Sequence, residues 1–371
     1  MSKERILICG ILPPPNFGHS MVYKVLMASP FVEAFDIIFF DMRFWSYSKH
    51  KKVTPDKLLK FIQYYFQFIG LILWHRPRYV LYAMSFDKMP FLKDFVFCMT
   101  AWLFFREVIL HDMGQYLREL YDSCGWGMRG LIRCFMRRVT ASIVLGEATR
   151  AVYKGFLPME RVFAVPGAVE DTEEIKTAPA PLKPQDPHVL YFSFLSRSKG
   201  VMTALKAIPL VLAKNPHAHF TFAGPVESPQ LLGEFSAFIQ ENLLQDRVKY
   251  VGYVGGEAER TAYFRSADIF MFPSHRDVFG LVLLHAMAER LPAVASREGA
   301  IPEIVEDGVN GFIFPKGDHE ALAAKILELT GNKPLRERMG QAGREKYLRV
   351  YTPEAYGRRM IAAFESIMTL E

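Results

Sequence analysis

Ala267-Asp268-Ile269-Phe270-Met271-Phe272-Pro273-Ser274-His275-Arg276-Asp277-Val278-Phe279-Gly280-Leu281-Val282-Leu283-Leu284-His285-Ala286-Met287-Ala288 carries a short apolar run into a polar turn and then into a second, longer apolar run. Ile269–Phe272 has the length of a buried strand, and Pro273-Ser274 ends it. Phe279-Gly280 then opens a helix. The first N–H groups of a helix have no partner within it, and its dipole is positive at that end, so this start suits a diphosphate. Asp277 and His285 lie about two helical turns apart, which sets them on one side of the loop–helix unit. The plainer alternative is a capped helix after a strand, with Asp277 a solvated loop acid.

The same alternation fills the chain. Strands are expected at Ile6–Leu12, Asp36–Phe40, Tyr79–Ala83, Glu107–Leu110, Ser142–Leu145 and Val162–Val165, with helices between them. One helix starts at Thr54-Pro55, a capping residue before a first-turn proline. Thr177–Pro187 holds Pro179, Pro181, Pro184 and Pro187 without apolar period and reads as a linker. The βα pattern restarts at Val189–Phe194, His219–Ala223, Val248–Val251, Ile269–Phe272, Ala293–Ala295 and Phe312–Phe314. The expected fold is α/β, with two Rossmann-like doubly wound domains over 1–178 and 188–352 facing across a cleft. In such sheets ligands bind outside the carboxyl ends of the strands, so the chemistry belongs in the loops that follow them.

Composition agrees. The 371 residues are 50% hydrophobic and 23% charged, which supplies two cores and excludes a disordered chain. Residues 1–180 hold 23 Lys and Arg against 17 Asp and Glu, so the whole net charge of +6 lies in that half. Lys49, Lys51, Lys52, Lys57 and Lys60 cluster beside Trp45, Tyr47, Phe61, Tyr64 and Tyr65, and Arg129, Arg133, Arg137 and Arg138 beside Leu131, Ile132, Phe135 and Met136. Each cluster alone is an ordinary solvated face; together they suit an anionic membrane surface. No nucleic-acid motif is present, and no nucleic-acid partner is expected. Phe61–Trp74 and Phe95–Phe105 fall short of the roughly 20 residues that span a bilayer. Cys9, Cys98, Cys124 and Cys134 form no CxxC pair and no metal spacing, which fits reduced, buried thiols. Met1–Arg5 leads straight into a strand rather than a signal peptide. The expected location is cytoplasmic, peripheral on the inner face of the membrane.

Three further loops carry chemistry. Phe192-Ser193-Phe194-Leu195-Ser196-Arg197-Ser198-Lys199-Gly200 sets two cations before a helix start, a phosphate cradle. Ser296-Arg297-Glu298-Gly299-Ala300-Ile301-Pro302 opens another helix with further backbone donors. Pro13-Pro14-Pro15-Asn16-Phe17-Gly18-His19-Ser20 follows the first strand; Gly18 lets a ligand approach backbone there, but the spacing is not GxGxxG. His111-Asp112 ends the fourth strand, a favourable position for a functional histidine.

In this order the segments resemble the retaining glycosyltransferases of family four, glycosyl transferases group 1, of GT-B fold. Asp277 through Ala288 resembles the family's Glu-x7-Glu segment, Leu195 to Gly200 its phosphate loop, and Val251-Gly252-Tyr253-Val254 its nucleobase loop. Val165-Pro166-Gly167-Ala168-Val169-Glu170 resembles the end of the first domain, and His111 falls where the family places a cleft histidine. Asp277 and His285 replace the two motif glutamates, Phe194 stands at the phosphate arginine and Arg290 at a usual glycine.

The resemblance implies a retaining transfer of a sugar from a nucleotide-sugar donor to a glycan or lipid-linked acceptor, as in cell-surface polysaccharide or glycolipid synthesis. The first domain would bind acceptor and the second donor, with the last helix, from about Pro353, packing back on the first. His111 and Asp277 would be catalytic. Gly18, Arg197, Lys199, Tyr253, Val254, Phe279, Gly280, Leu281, Val282 and His285 would hold donor. No cofactor and no metal are expected; Asp171-Thr172-Glu173 is the nearest acidic pair. The alternatives are a catalytically degenerate nucleotide-sugar-binding or scaffold paralogue, and a nucleotide-sugar epimerase of similar fold.

Overall fold

The structure is a computed structural model that describes residues 3–14, 18–43, 55–114, 116–175 and 186–370. Asn16 and Phe17, the stretch 44–54 with Trp45, Tyr47, Lys49, Lys51, Lys52 and the cap Thr54, and all but the last two residues of the Thr177–Pro187 linker lie outside the described residues, as does the side chain of Lys57. The chain forms two compact units, Met1–Gly167 with Pro353–Glu371, and Ala168–Thr352.

The first unit is built on β1 (Arg5–Gly10), β2 (Asp36–Asp41), β3 (Tyr79–Ala83), β4 (Glu107–Asp112), β5 (Ala141–Val144) and β6 (Val162–Ala164), all parallel, in the order β2-β1-β3-β4-β5-β6. The central strands are buried on both faces by helices, so they read as continuous apolar runs rather than alternating ones. The helices Pro55–His75 and Lys88–Leu103 pack side by side, with Phe61, Tyr65 and Phe68 around Phe97. The last helix, Pro353–Met368, sets Phe364 against Phe31, Phe35 and Tyr79 of this unit.

The second unit repeats the plan with β7 (His188–Phe192), β8 (His219–Ala223), β9 (Val248–Gly252), β10 (Ile269–Phe272), β11 (Ala293–Ser296) and β12 (Gly311–Phe314), parallel, in the order β12-β11-β10-β7-β8-β9. Every strand expected from the apolar runs is present, with ends shifted by a residue or two. Each sheet has one point where strand order reverses, between β1 and β3 in the first and between β7 and β10 in the second. Loops leaving the strands on either side of such a point splay apart and open a crevice.

The stretch before the linker packs with the second unit because arginines hold it. Arg344, a buried side chain, reaches both oxygens of Asp171 at 2.9 and 2.8 Å and Glu173 at 2.8 Å. Arg290 bonds Glu173 at 3.0 Å, and Arg265 bonds the Thr172 and Ile175 carbonyls at 2.6 and 2.9 Å. Against the upward push of partial burial, the Arg344 bonds hold the Asp171 carboxyl below its usual range. Among the described residues no helix is long and apolar enough to cross a membrane. Cys9, Cys98 and Cys124 are buried free thiols; Cys134, expected buried with them, is exposed.

Candidate functional site

The crevice of the second sheet is made by the loop after β7 and the loop after β10, and the two are fastened together. The Ser198 carbonyl accepts from the backbone of His275 at 2.8 Å and of Arg276 at 3.1 Å. Gly200 makes this approach possible. Its φ is +71°, and a Cβ there would lie 1.8 Å from the Pro273 carbonyl oxygen. Gly299, in the loop after β11, has φ +50°, and a Cβ on it would lie 2.3 Å from the Asp277 carbonyl oxygen. Three loops therefore converge at contact distances that only glycine permits.

Within this cluster Lys199 Nζ donates to Asp277 Oδ2 at 2.5 Å and to the Arg276 carbonyl at 3.3 Å. Both side chains are mostly shielded, Lys199 27% and Asp277 13% exposed. The other Asp277 oxygen accepts from the Phe279 N–H at 3.3 Å, which turns the chain into the helix Leu281–Ala288. Phe279 itself is buried against Tyr351, so only its backbone is offered to a ligand. Gly280 caps the helix in the left-handed region at φ +83°, and Leu281 and Val282 supply its first N–H groups. Lys199 is likewise presented just before a helix, Val201–Leu212, capped by Gly200. A cation and two helix starts thus surround one acid at the strand-order reversal.

Arg197 is not part of this group. Its guanidinium is paired with Glu234 on the helix Pro229–Glu241 and is 62% exposed, and its backbone N–H bonds Glu227 at 3.4 Å. Phe194, where the family resemblance places an arginine, is 43% exposed. Tyr253 and Val254 follow β9; the tyrosine is exposed and the valine buried. His285 Nδ1 is buried with no hydrogen-bond partner among the described residues. Burial first, then the Arg260 cation, push the imidazole well below its ordinary pKa, so it is neutral at neutral pH. No local pattern marks Arg260, whose charge acts on His285 from another helix, Glu257–Ser266.

The first sheet has its own crevice, a cavity of about 190 Å³ at the reversal between β1 and β3. Gly10, Ala83, Met84, His19 and His111 line it. His111, on β4, is buried; Nδ1 meets the Tyr23 hydroxyl at 3.2 Å, and Nε2 has no partner among the described residues. Burial, then nearby His19, lower its pKa to about 3. Gly18 is the exposed first residue of the helix Gly18–Met27 that supplies His19 and Tyr23. The cavity also contains Lys93, paired at 2.6 Å with Asp94, which is fully buried and held by the Tyr82 hydroxyl and the Ser85 N–H. Sequence reading missed this pair, although two adjacent charges inside the apolar run of residues 88–103 were its signal.

Residues 172–346 match the family described as glycosyl transferases group 1. A sulfoquinovosyl transferase of Arabidopsis thaliana is 31% identical over 167 residues, 44% of this chain and 30% of the relative. A phosphatidyl-myo-inositol mannosyltransferase of Mycobacterium leprae is 30% identical over 172 residues, 46% of this chain and 44% of the relative. The match thus spans less than half the length of either relative. Over the whole fold the chain is similar to the structure of HepE of Anabaena in complex with UDP and glucose, with TM-score 0.75, 17% identity, and coverage of 98% of this chain and 100% of that one.

Proposed function

We propose that this chain, which carries a glycosyl transferases group 1 domain over residues 172–346 on a GT-B fold, moves a sugar from a nucleotide-sugar donor to a glycan or lipid-linked acceptor with retention of configuration. The observation that carries the reading is Lys199 held beside Asp277 between two helix starts, at the strand-order reversal of the second sheet. When the bond from the anomeric carbon to the donor oxygen breaks, negative charge builds on the leaving diphosphate. Lys199 and the N–H groups at Gly280, Leu281 and Val282 are fixed dipoles and charge at the place where it would build, which is the most effective form of electrostatic catalysis. Asp277, an acceptor only when ionised, suits sugar hydroxyls. His285, neutral and with one ring nitrogen unpartnered, suits a ribose hydroxyl.

His111 is assigned to the sugar: its unpartnered Nε2 is neutral at every physiological pH and can take a hydrogen bond from a hydroxyl or donate one, according to tautomer. The first unit would take the acceptor and work peripherally at an anionic membrane surface, on the cytoplasmic side. Charge stabilisation is assigned to Lys199 rather than to a metal, since the nearest acidic pair, Asp171 and Glu173, is engaged by Arg344 and Arg290. The second reading, a nucleotide-sugar-binding scaffold that has lost catalysis, draws on Phe194 at the expected arginine and on the diversion of Arg197 to Glu234.

Calorimetric titration of nucleoside diphosphates tests the phosphate assignment. Lys199→Ala should lose ~1.5–3 kcal/mol, roughly 10- to 150-fold in affinity. Arg197→Ala should leave affinity nearly unchanged. Equal binding by Lys199→Ala and wild type removes the assignment.

A further inference from the structure

The helix Pro55–His75 packs on the first sheet through Phe61, Phe68 and Ile72, yet Leu59, Ile62, Phe66 and Leu73 on its other side are exposed. The neighbouring helix Lys88–Leu103 buries Phe91, Phe97, Cys98 and Ala101 and exposes Met89, Leu92, Val96 and Leu103. In both helices the exposed residues recur at i, i+3, i+7 and i+14, the spacing of a single stripe along a 3.6-residue helix. The two helices pack side by side, joined by the Phe61–Phe97 and Tyr65–Phe97 ring contacts and a Tyr65–Thr100 hydrogen bond of 2.8 Å. Their stripes therefore run side by side, facing away from the sheet. Trp74, Phe105 and Trp126, at 86, 93 and 92% exposure, mark the ends of these helices and the start of the helix Trp126–Met136. An apolar surface of this extent is costly in water and marks an interaction site.

The charges around it select the occupant. Over 59–75, 88–106 and 126–138 the one acidic residue is Asp94, which is fully buried. Lys60, Arg76, Lys88, Arg133, Arg137 and Arg138 are all exposed. The helix Trp126–Met136 is anchored beside the second stripe by Phe135, whose ring meets Phe91 and Trp102, and Arg138 reaches Met99 of that helix at 3.9 Å. An apolar stripe whose edges carry more exposed cations than exposed acids, Asp87 beside Lys88 being the acid, matches a bilayer with anionic headgroups, where apolar side chains enter the acyl boundary and Lys and Arg pair with the headgroups.

We propose that this face of the first unit docks on an anionic phospholipid bilayer by inserting the two stripes, without crossing it. This rests on the reading that the first unit works at a membrane surface, and it names the surface and the mode, insertion in addition to charge attraction. The test is co-sedimentation of the full chain with phosphatidylcholine vesicles with and without phosphatidylglycerol, at low and high salt, with bromolipid quenching of tryptophan fluorescence. Binding to the anionic vesicles should be quenched by bromolipid, with Trp74 and Trp126 replaced in turn to locate the contact. The Phe66→Glu/Val96→Glu variant should lose roughly tenfold or more in vesicle affinity while melting as wild type does, since both positions face water. Arg133→Glu/Arg137→Glu should lose affinity mainly at low salt. Failure of the full chain to bind anionic vesicles overturns the proposal. So does undiminished binding by the Phe66→Glu/Val96→Glu variant, and so does a self-associated state that this variant dissociates without any vesicle binding. Nucleotide titration in the same samples separates the two readings: vesicle binding without nucleotide binding sinks the transferase, and the reverse sinks only the docking face.

Discussion

Lys199 and Asp277 neutralise each other at 2.5 Å, so a diphosphate must compete with Asp277 for the cation. Removing the acid should therefore separate two functions. In Asp277→Ala, affinity for free nucleoside diphosphate should hold or rise, because Lys199 is released, while sugar transfer is lost. Calorimetry and a transfer assay on that variant decide it; surviving transfer would reduce Asp277 to a helix entry. His111 and His285 make a different prediction. Both are held neutral by burial, His111 with a pKa of about 3 and His285 well below its ordinary value. The unfolded chain takes up these protons below about pH 6.5, whereas the folded chain does not until far lower, so stability is lost as pH falls from there. The slope is up to ~1.4 kcal/mol per pH unit for each histidine. Urea unfolding across that range should give a shallower loss for His111→Gln than for wild type. An identical slope would mean that His111 is not buried in neutral form.

At the scale of elements, the glycine contacts are what bring the loops into one cluster. Gly200→Ala adds a Cβ 1.8 Å from the Pro273 carbonyl at a φ that alanine resists. It should push the loops after β7 and β10 apart, lowering the melting temperature and weakening nucleotide binding together. If it melts and binds as wild type does, the loops are not interlocked there. The elements themselves were legible because parallel strands covered on both faces are written as short apolar runs between polar turns, as in Tyr79–Ala83 and Ile269–Phe272. The donor cluster was legible in part because Lys199 and Asp277 each follow a strand, and loops on either side of a strand-order reversal must meet. What was not legible depends on contacts between distant positions. Tyr23 meets His111 across 88 residues, and Glu234 takes Arg197 across 37. No local pattern reports such pairings. The basic clusters were read from composition, but the outward stripes of Pro55–His75 and Lys88–Leu103 became distinguishable from core only once the buried side of each helix was known.

At the scale of the molecule, two sheets of the same plan carry different chemistry at equivalent places. One crevice holds a cation, an acid and helix starts; the other holds two histidines, a Lys93–Asp94 pair and methionines around about 190 Å³. The central claim is that the second unit takes a nucleotide-sugar and releases its diphosphate onto Lys199. The most direct measurement is slow donor hydrolysis by the purified chain across a panel of nucleotide-sugars, followed by proton NMR of the sugar released. One class of donor should be consumed, the sugar should first appear in the donor's own anomeric configuration, and Lys199→Ala should fall roughly 10-fold or more in rate. Consumption of no donor, with or without anionic vesicles, or equal consumption by wild type and Lys199→Ala, would contradict it.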